Sequence, residues 1–120
     1  MQDLLWYLGR LLFGGYFLHG AYNHFTKSQA MTGYAQSKKV PLPKAAVLVT
    51  GALMLIGGLS VLLNLYTLIG LISLVIFLVP VTFWMHAFWN VQDPGARMGE
   101  NVNFFKNLAL LGAVLILLSR

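Results

Sequence analysis

Apolar residues run along the chain in four long stretches, separated by shorter polar segments. The stretches are residues 4–25, 45–65, 66–89 and 102–118. Because about 20 helical residues cross a bilayer core of about 30 Å, each stretch approaches the length of one membrane-spanning helix. The pattern predicts an all-α membrane protein, a four-transmembrane-helix antiparallel bundle that forms a single domain over residues 1–120.

The polar connections differ in length. Residues 26–44 are rich in lysine and predict either a plain loop or a short helical turn on the membrane surface. Residues 64–67 predict a tight turn, and residues 90–101 predict a true loop that contains Glu100. All three acidic residues then fall in tails or loops, so no carboxylate is expected within a span.

Composition indicates that lipid surrounds most of the chain. The sequence is 58% hydrophobic and only 9% charged, whereas about a quarter of the residues of a soluble domain are charged. Its net charge of +5 comes from basic residues in short segments between apolar runs, which favours contact with anionic lipid headgroups over nucleic acid. There is no cysteine, so its own residues offer no dithiol chemistry.

The distribution of basic residues predicts how the bundle is oriented. Four antiparallel spans place the first and third connections on one side of the membrane, and most of the lysines and arginines lie there. By the positive-inside rule, these two long connections should be cytoplasmic and both termini external.

Polar residues within the spans gather in the membrane half nearest the long connections. Such residues need a partner, a watery cavity or a function, because polar groups are costly in lipid. The similar strings at residues 19–23 and 86–90 each place a histidine and an asparagine on one helix face, which indicates either two related hairpins or chance similarity. The candidate ligand-binding residues are His19, Asn23, His24, His86, Trp89, Asn90, Asn103, Lys106 and Asn107.

Two interpretations of this polar group stay open. Lys106 and the nearby amides suit a carbonyl-bearing or acidic headgroup, but they also suit a lysine that reaches lipid phosphate and asparagines that bond neighbouring helices. His19 and His24 are five positions apart and point in different directions, so no metal site is predicted and a haem is disfavoured. Arg10 is interpreted as a structural or lipid-contacting charge that reaches lipid phosphate or Asp3.

Several short motifs resemble one known family in their order and spacing. They include Arg10-Leu-Leu-Phe-Gly14, Asn23-His24-Phe25, Val79-Pro-Val-Thr-Phe83, Met85-His86 and Asn103-Phe-Phe-Lys-Asn-Leu-Ala-Leu110. With these motifs the chain resembles the DoxX family of small bacterial membrane proteins. The resemblance implies a multi-pass protein of the bacterial inner membrane, a fold similar to the vitamin K epoxide reductase bundle, and a part in quinone-linked oxidation.

Three functions follow as hypotheses. In the first, the chain is a quinone-linked oxidoreductase subunit in which His86, Lys106 and Asn107 donate hydrogen bonds to quinone carbonyls. In the second, it is a non-catalytic anchor or accessory subunit that contacts lipid and partner subunits or further copies of itself. In the third, it binds a lipid or a small solute. No catalytic residue set stands out to decide whether it is an enzyme.

Overall fold

Long apolar runs broken by turn residues set the limits of the helices. The computed structural model describes residues 2–120, which form five α-helices and one short 3-10 turn and contain no strand. In chain order these are α1 (Gln2–Thr26), α2 (Ser28–Ser37), α3 (Pro43–Leu63), α4 (Thr67–Met85), the 3-10 turn (Phe88–Asn90) and α5 (Pro94–Leu118).

Three helical stretches are long and apolar enough to cross a membrane: Pro43–Leu63, Thr67–Asn90 and Pro94–Leu118. The prediction of an all-helical membrane protein is therefore confirmed. Helix α1 is 25 residues long, but Arg10, His19, Asn23 and His24 lower its mean hydropathy. The count of four spans stays a prediction.

The start of the last helix differs from the sequence-based prediction. Helix α5 begins at Pro94, not at residue 102, so most of the predicted loop over residues 90–101 is helical. Asp93 caps this helix, because its side chain accepts a hydrogen bond from the Ala96 backbone N–H at 2.9 Å. Proline at the first helical position suits this start, since its fixed φ is helical and its missing N–H needs no partner there. Glu100 consequently lies on a helix.

The long helices pack antiparallel in the order α1, α3, α4, α5. Residues near the start of α1 meet the end of α3, as where Arg10 contacts Val61, and His86 at the end of α4 meets Glu100 near the start of α5. Helices α1 and α5, which would close the bundle, have no extensive backbone contact. Side chains reach across that gap, in the core where Phe17 and Val114 are fully buried and at the surface where Lys106 lies over the Tyr16 ring.

The bundle has two distinct ends. We call the end with the turn at residues 64–66 and both termini the turn-side end, and the end with α2 and the 3-10 turn the loop-side end. At the turn-side end, glycines let backbones approach closely: a Cβ on Gly14 would lie 2.9 Å from the Gly58 carbonyl oxygen, and one on Gly70 would overlap Ser60. Such contacts supply much of the packing between helices in lipid.

Arg10 has one of the two predicted roles, that of a structural charge, but its partners differ from the predicted ones. Instead of reaching lipid phosphate or Asp3, its Nε donates to the Val61 carbonyl at 2.9 Å and its Nη2 to the Leu62 carbonyl at 2.8 Å. These carbonyls belong to the last turn of α3, where no helical N–H follows to bond them. A cation there also interacts favourably with the helix dipole. Arg10 is therefore a structural charge that ties α1 to the end of α3.

Candidate functional site

A cavity of about 350 Å³ lies towards the loop-side end and is lined by residues of all five helices. Its walls are mainly apolar and aromatic, with Phe17, Met54, Phe77 and Trp84 among the lining residues. Helix α2 covers it through Met31, Tyr34 and Ala35. Of the two structures predicted for residues 26–44, a plain loop or a short helical turn, the structure has the helix, and these three residues of it line the cavity.

Five of the predicted ligand-binding residues line this cavity. They come from α1, from the end of α4 and from α5, and they are Asn23, His24, His86, Lys106 and Asn107. The geometry thus brings together groups from three separate segments of the sequence. The aliphatic and aromatic walls between them give the cavity the character of a small-molecule site, apolar with a few polar groups.

The two α5 residues place hydrogen-bond donors on the cavity wall. The side chain of Asn107 is buried, with 5% of the residue exposed, and it makes no hydrogen bond with another side chain or backbone group of residues 2–120. Within residues 2–120 the buried side-chain polar atom without a partner is Thr82 Oγ1, so the Asn107 amide reaches the cavity and can bond a ligand there. Lys106 lies beside it, with Nζ 5.7 Å from the centroid of the Tyr16 ring.

The two cavity histidines are each held through one ring nitrogen. Nδ1 of His24 lies 2.8 Å from the Gly20 carbonyl oxygen, and Nδ1 of His86 lies 3.0 Å from Oε1 of Glu100. His24 also packs edge-on against Phe77, with the ring centroids 6.2 Å apart. Both rings are therefore fixed in orientation.

Behind His86 lies a buried carboxylate that receives four polar contacts. Glu100 is only 7% exposed. Its Oε2 accepts from the Tyr34 hydroxyl at 2.6 Å and lies 2.7 Å from Nζ of Lys38. Its Oε1 accepts from His86 at 3.0 Å and from Asn103 at 3.4 Å. We call Glu100, Tyr34, Lys38, His86 and Asn103 the Glu100 cluster.

The Glu100 cluster fastens α2 onto the bundle. Tyr34 and Lys38 come from α2 and its C-terminal end, and the Lys38 carbonyl accepts a further hydrogen bond from Trp84 Nε1 at 2.8 Å. Burial raises the pKa of the Tyr34 hydroxyl far above its ordinary value, and the neighbouring Glu100 carboxylate raises it further. Tyr34 therefore stays neutral at physiological pH and donates a hydrogen bond to Glu100.

The other predicted site residues lie away from the cavity wall. Asn103 reaches Glu100 instead. His19 is exposed and contacts Asn23 across one helical turn at 3.3 Å. Trp89 is 48% exposed and packs edge-on against Phe104. Asn90 is exposed and lines a separate surface groove beside Lys39.

The predicted shared face of His86 and Asn90 is wrong. Helix α4 ends at Met85, and Asn90 lies in the 3-10 turn after a break at residues 86 and 87. The two side chains are therefore not one α-helical turn apart, unlike His19 and Asn23. This difference removes the main reason for regarding the two strings as related hairpins.

Three residues of the site were not among those predicted from the sequence: Tyr34, Lys38 and Glu100. One signal for Glu100 was present, since Asp93 followed by Pro94 is typical of a helix start. That start places Glu100 near the first turns of a helix, at the membrane end where the lysines gather. Among residues 2–120, no group of three or more histidines and carboxylates is arranged to hold a metal ion.

The comparisons with known proteins identify the family. The family model for DoxX matches residues 5–87, which is more than half of the chain. The chain belongs to the DoxX family. The resemblance inferred from the sequence motifs is thus confirmed. The matched range includes Asn23, His24, Tyr34, Lys38 and His86, and ends before α5. No curated protein and no solved structure matches the chain.

Proposed function

We propose that this DoxX protein is a membrane subunit that binds a quinone in the cavity and serves a quinone-linked oxidoreductase. The observation that carries the proposal is the Asn107 amide, beside Lys106, on the wall of a mainly apolar cavity. An amide N–H and an ammonium suit the carbonyl oxygens of a quinone headgroup, and the aromatic walls suit its ring. A cavity of about 350 Å³ falls within the range of roughly 300–1,000 Å³ that is typical of small-molecule sites.

The path to this site favours a ligand that comes from the bilayer. Helix α2 covers the loop-side end of the cavity, held there by the Tyr34 and Lys38 contacts to Glu100. Helices α1 and α5 lack extensive backbone contact, and the exposed side chains of Tyr16 and Lys106 line the cavity between them. A ligand that consists of a headgroup and a long apolar tail can place the headgroup in the cavity while the tail remains in lipid.

Quinone retention tests this function directly. The protein is purified in mild detergent, and its lipid extract is assayed for quinone alongside an extract of the parent membranes. We expect quinone enriched above the bulk-lipid level in the wild type, and lost in the variants Lys106→Met and Asn107→Leu. The matched control is Lys44→Met, which removes an exposed lysine outside the cavity. Absence of enrichment in the wild type would end the proposal.

We also propose that α1 is a fourth membrane span. Its 25 residues correspond to a helix about 37 Å long, which is sufficient to cross a bilayer. The residues that lower its hydropathy have partners inside the protein: Arg10 bonds the end of α3, and Asn23 and His24 line the cavity. The chain then lies in the bacterial inner membrane with the loop-side end in the cytoplasm, as its lysines favour.

Single cysteines test this topology without background, because the chain has none. With Lys39→Cys after α1 and Asp3→Cys at the start of α1, a membrane-impermeant maleimide added outside should label only the second, because α1 separates the two positions. The same result at both positions, whether both react or neither does, would contradict α1 as a fourth span.

An accessory role is the second candidate, and the outer faces of the helices favour it. Leu4, Leu11, Phe105 and Ile116 are among many large apolar side chains that are more than half exposed. Lipid covers such faces, but a partner helix covers them equally well. Purification in gentle detergent should then yield a stoichiometric partner or a defined oligomer. Repeated isolation of the single chain would count against this role.

A further inference from the structure

The two cavity histidines use the same ring nitrogen, Nδ1, in a hydrogen bond with the protein. A carbonyl oxygen can only accept a hydrogen bond, so the Nδ1 of His24 that lies 2.8 Å from the Gly20 oxygen must carry the proton. The same reasoning applies to His86, whose Nδ1 lies 3.0 Å from Oε1 of Glu100. In a neutral imidazole the second nitrogen then has no proton. Both residues line the cavity with Nε2 available as an acceptor.

Glu100 is held as an acceptor by the groups around it. Lys38 can only donate, Tyr34 donates its single hydroxyl proton, and Asn103 directs its amide nitrogen at the same carboxylate. Four donors on two oxygens match an ionised carboxylate, which carries about four lone-pair sites. The charged groups near His86 are Glu100 and Lys106, both from α5, and Lys38 from the C-terminal end of α2.

We propose that the cavity selects the reduced, dihydroxy form of its ligand, a quinol, through the Nε2 acceptors of His24 and His86. This inference rests on the proposed function and adds the oxidation state of the bound molecule. A quinone offers only acceptors to these nitrogens, whereas each quinol hydroxyl donates one hydrogen bond. The same hydroxyl oxygens still accept from Lys106 and Asn107. Glu100 is a positioning residue, because it acts on the ligand only by orienting His86.

We expect the variant Glu100→Gln to change the preference for quinol over quinone. The cause is the position of the proton on His86, and not a change in packing. An amide has one accepting oxygen and one donating nitrogen, and Lys38, which only donates, takes the oxygen. The amide nitrogen then faces His86, whose Nδ1 must accept and whose proton moves to Nε2. The cavity loses one acceptor and gains one donor, which suits a quinone carbonyl.

The experiment compares quinol and quinone affinities in detergent at pH 8, where an imidazole with an ordinary pKa is neutral. The probes are a short-tail ubiquinone analogue and its reduced form, kept under anaerobic conditions. We expect the wild type to bind the quinol about tenfold more tightly, and Glu100→Gln to lose most of that preference. Lys44→Met, outside the cavity, should behave as the wild type.

A second measurement does not depend on whether the variant folds. Nitrogen-15 spectra of labelled histidine in the wild type, assigned with His19→Gln, should show the proton on Nδ1 of both His24 and His86. A proton on Nε2 of either residue, or a wild type that binds quinone at least as tightly as quinol, would overturn the inference and leave the quinone site standing. Failure of both molecules to bind would overturn the proposed function and this inference together.

Discussion

The two ends of the bundle are built in different ways. At the turn-side end, Gly14 meets Gly58 and Gly57 meets Gly70 so closely that side chains there would collide, and Arg10 bonds the free carbonyls of α3. At the loop-side end, five helices surround a cavity of about 350 Å³ with polar groups on its wall. One end has little space between its helices, and the other leaves a space open.

This difference shows how a chain of 120 residues can hold a cavity in a membrane. Hydrophobic burial contributes little between helices in lipid, so close backbone contact and hydrogen bonds must hold the bundle together. The turn-side end supplies the close contact. The loop-side end also has a close contact, since a Cβ on Gly51 would lie 2.8 Å from His24 Cβ. It adds the Glu100 cluster, which joins α2, α4 and α5 through one carboxylate.

The largest effect should follow from removing that carboxylate. Glu100→Ala leaves Lys38, Tyr34 and His86 without their shared acceptor, and we expect a loss of about 3 kcal/mol in the free energy of unfolding. Detergent-induced unfolding followed by circular dichroism measures this loss. In a protein that already carries Lys38→Met, Glu100→Ala should lower the free energy of unfolding clearly less, because no unpaired Lys38 charge is left behind. Equal costs in both backgrounds would show that the ion pair does not stabilise the loop-side end.

A smaller loss should follow at the turn-side end from Gly14→Ala. The new methyl group would lie 2.9 Å from the Gly58 oxygen, and a backbone atom cannot move aside without shifting a helix. We expect a loss of about 2 kcal/mol in the same unfolding assay. Gly15→Ala is the matched control, because nothing lies within 4 Å of its Cβ position. A loss of the same size at both glycines would refute the close contact of α1 with α3.

Arg10→Met should weaken the turn-side end by about 1.5 kcal/mol, since two carbonyls of α3 lose their donors. Arg10→Lys should recover only part of this stability, because a single amine replaces a guanidinium group whose Nε and Nη2 bond different carbonyls. Arg120→Met removes an exposed arginine and serves as the control. If Arg10→Met unfolds like the wild type, the guanidinium contacts lipid or water rather than α3.

The smallest effect should have the opposite sign. Thr82 is fully buried in α4, and its hydroxyl has no hydrogen-bond partner within residues 2–120. Thr82→Val keeps the shape and removes the unpaired polar atom, so we expect stability to rise by about 1 kcal/mol. At Thr50 the hydroxyl donates to the Ala46 carbonyl at 2.7 Å, and the same substitution should bring no gain. A destabilised Thr82→Val protein would mean that this hydroxyl has a partner in the membrane.

Much of the fold could be predicted from the sequence, because membrane helices follow from local composition. The turn at residues 64–66 falls where polar residues interrupt a long apolar run, and the end of α1 lies within a residue of the predicted limit. The start of α5 was missed because hydropathy falls off around Arg97 and Glu100, although the Asp93 cap marks a helix there. Polar residues at the end of a membrane helix look like a loop when only hydropathy is considered.

The candidate site was predictable only in part. His24, His86, Lys106 and Asn107 were expected near one end of the bundle, and they line one cavity. The depth of each residue in the membrane follows from its position along its helix, and that position can be read from the sequence. Trp89 and Asn90 were expected with them but lie outside, because the break after Met85 changes the direction of the chain. Tyr34 and Lys38 were missed because nothing local shows that α2 folds back over the cavity.

By itself, then, the sequence determined that this is a helical membrane protein of the DoxX type with its polar residues at one end. Apolar length, turn residues and short motifs are local properties, and each can be identified without knowing what lies beside it. Only the tertiary structure decided that Glu100 is buried among Tyr34, Lys38 and His86. Those partners are 14 to 66 positions away along the chain, and the charge of a buried carboxylate is tolerated only because packing brings its donors together.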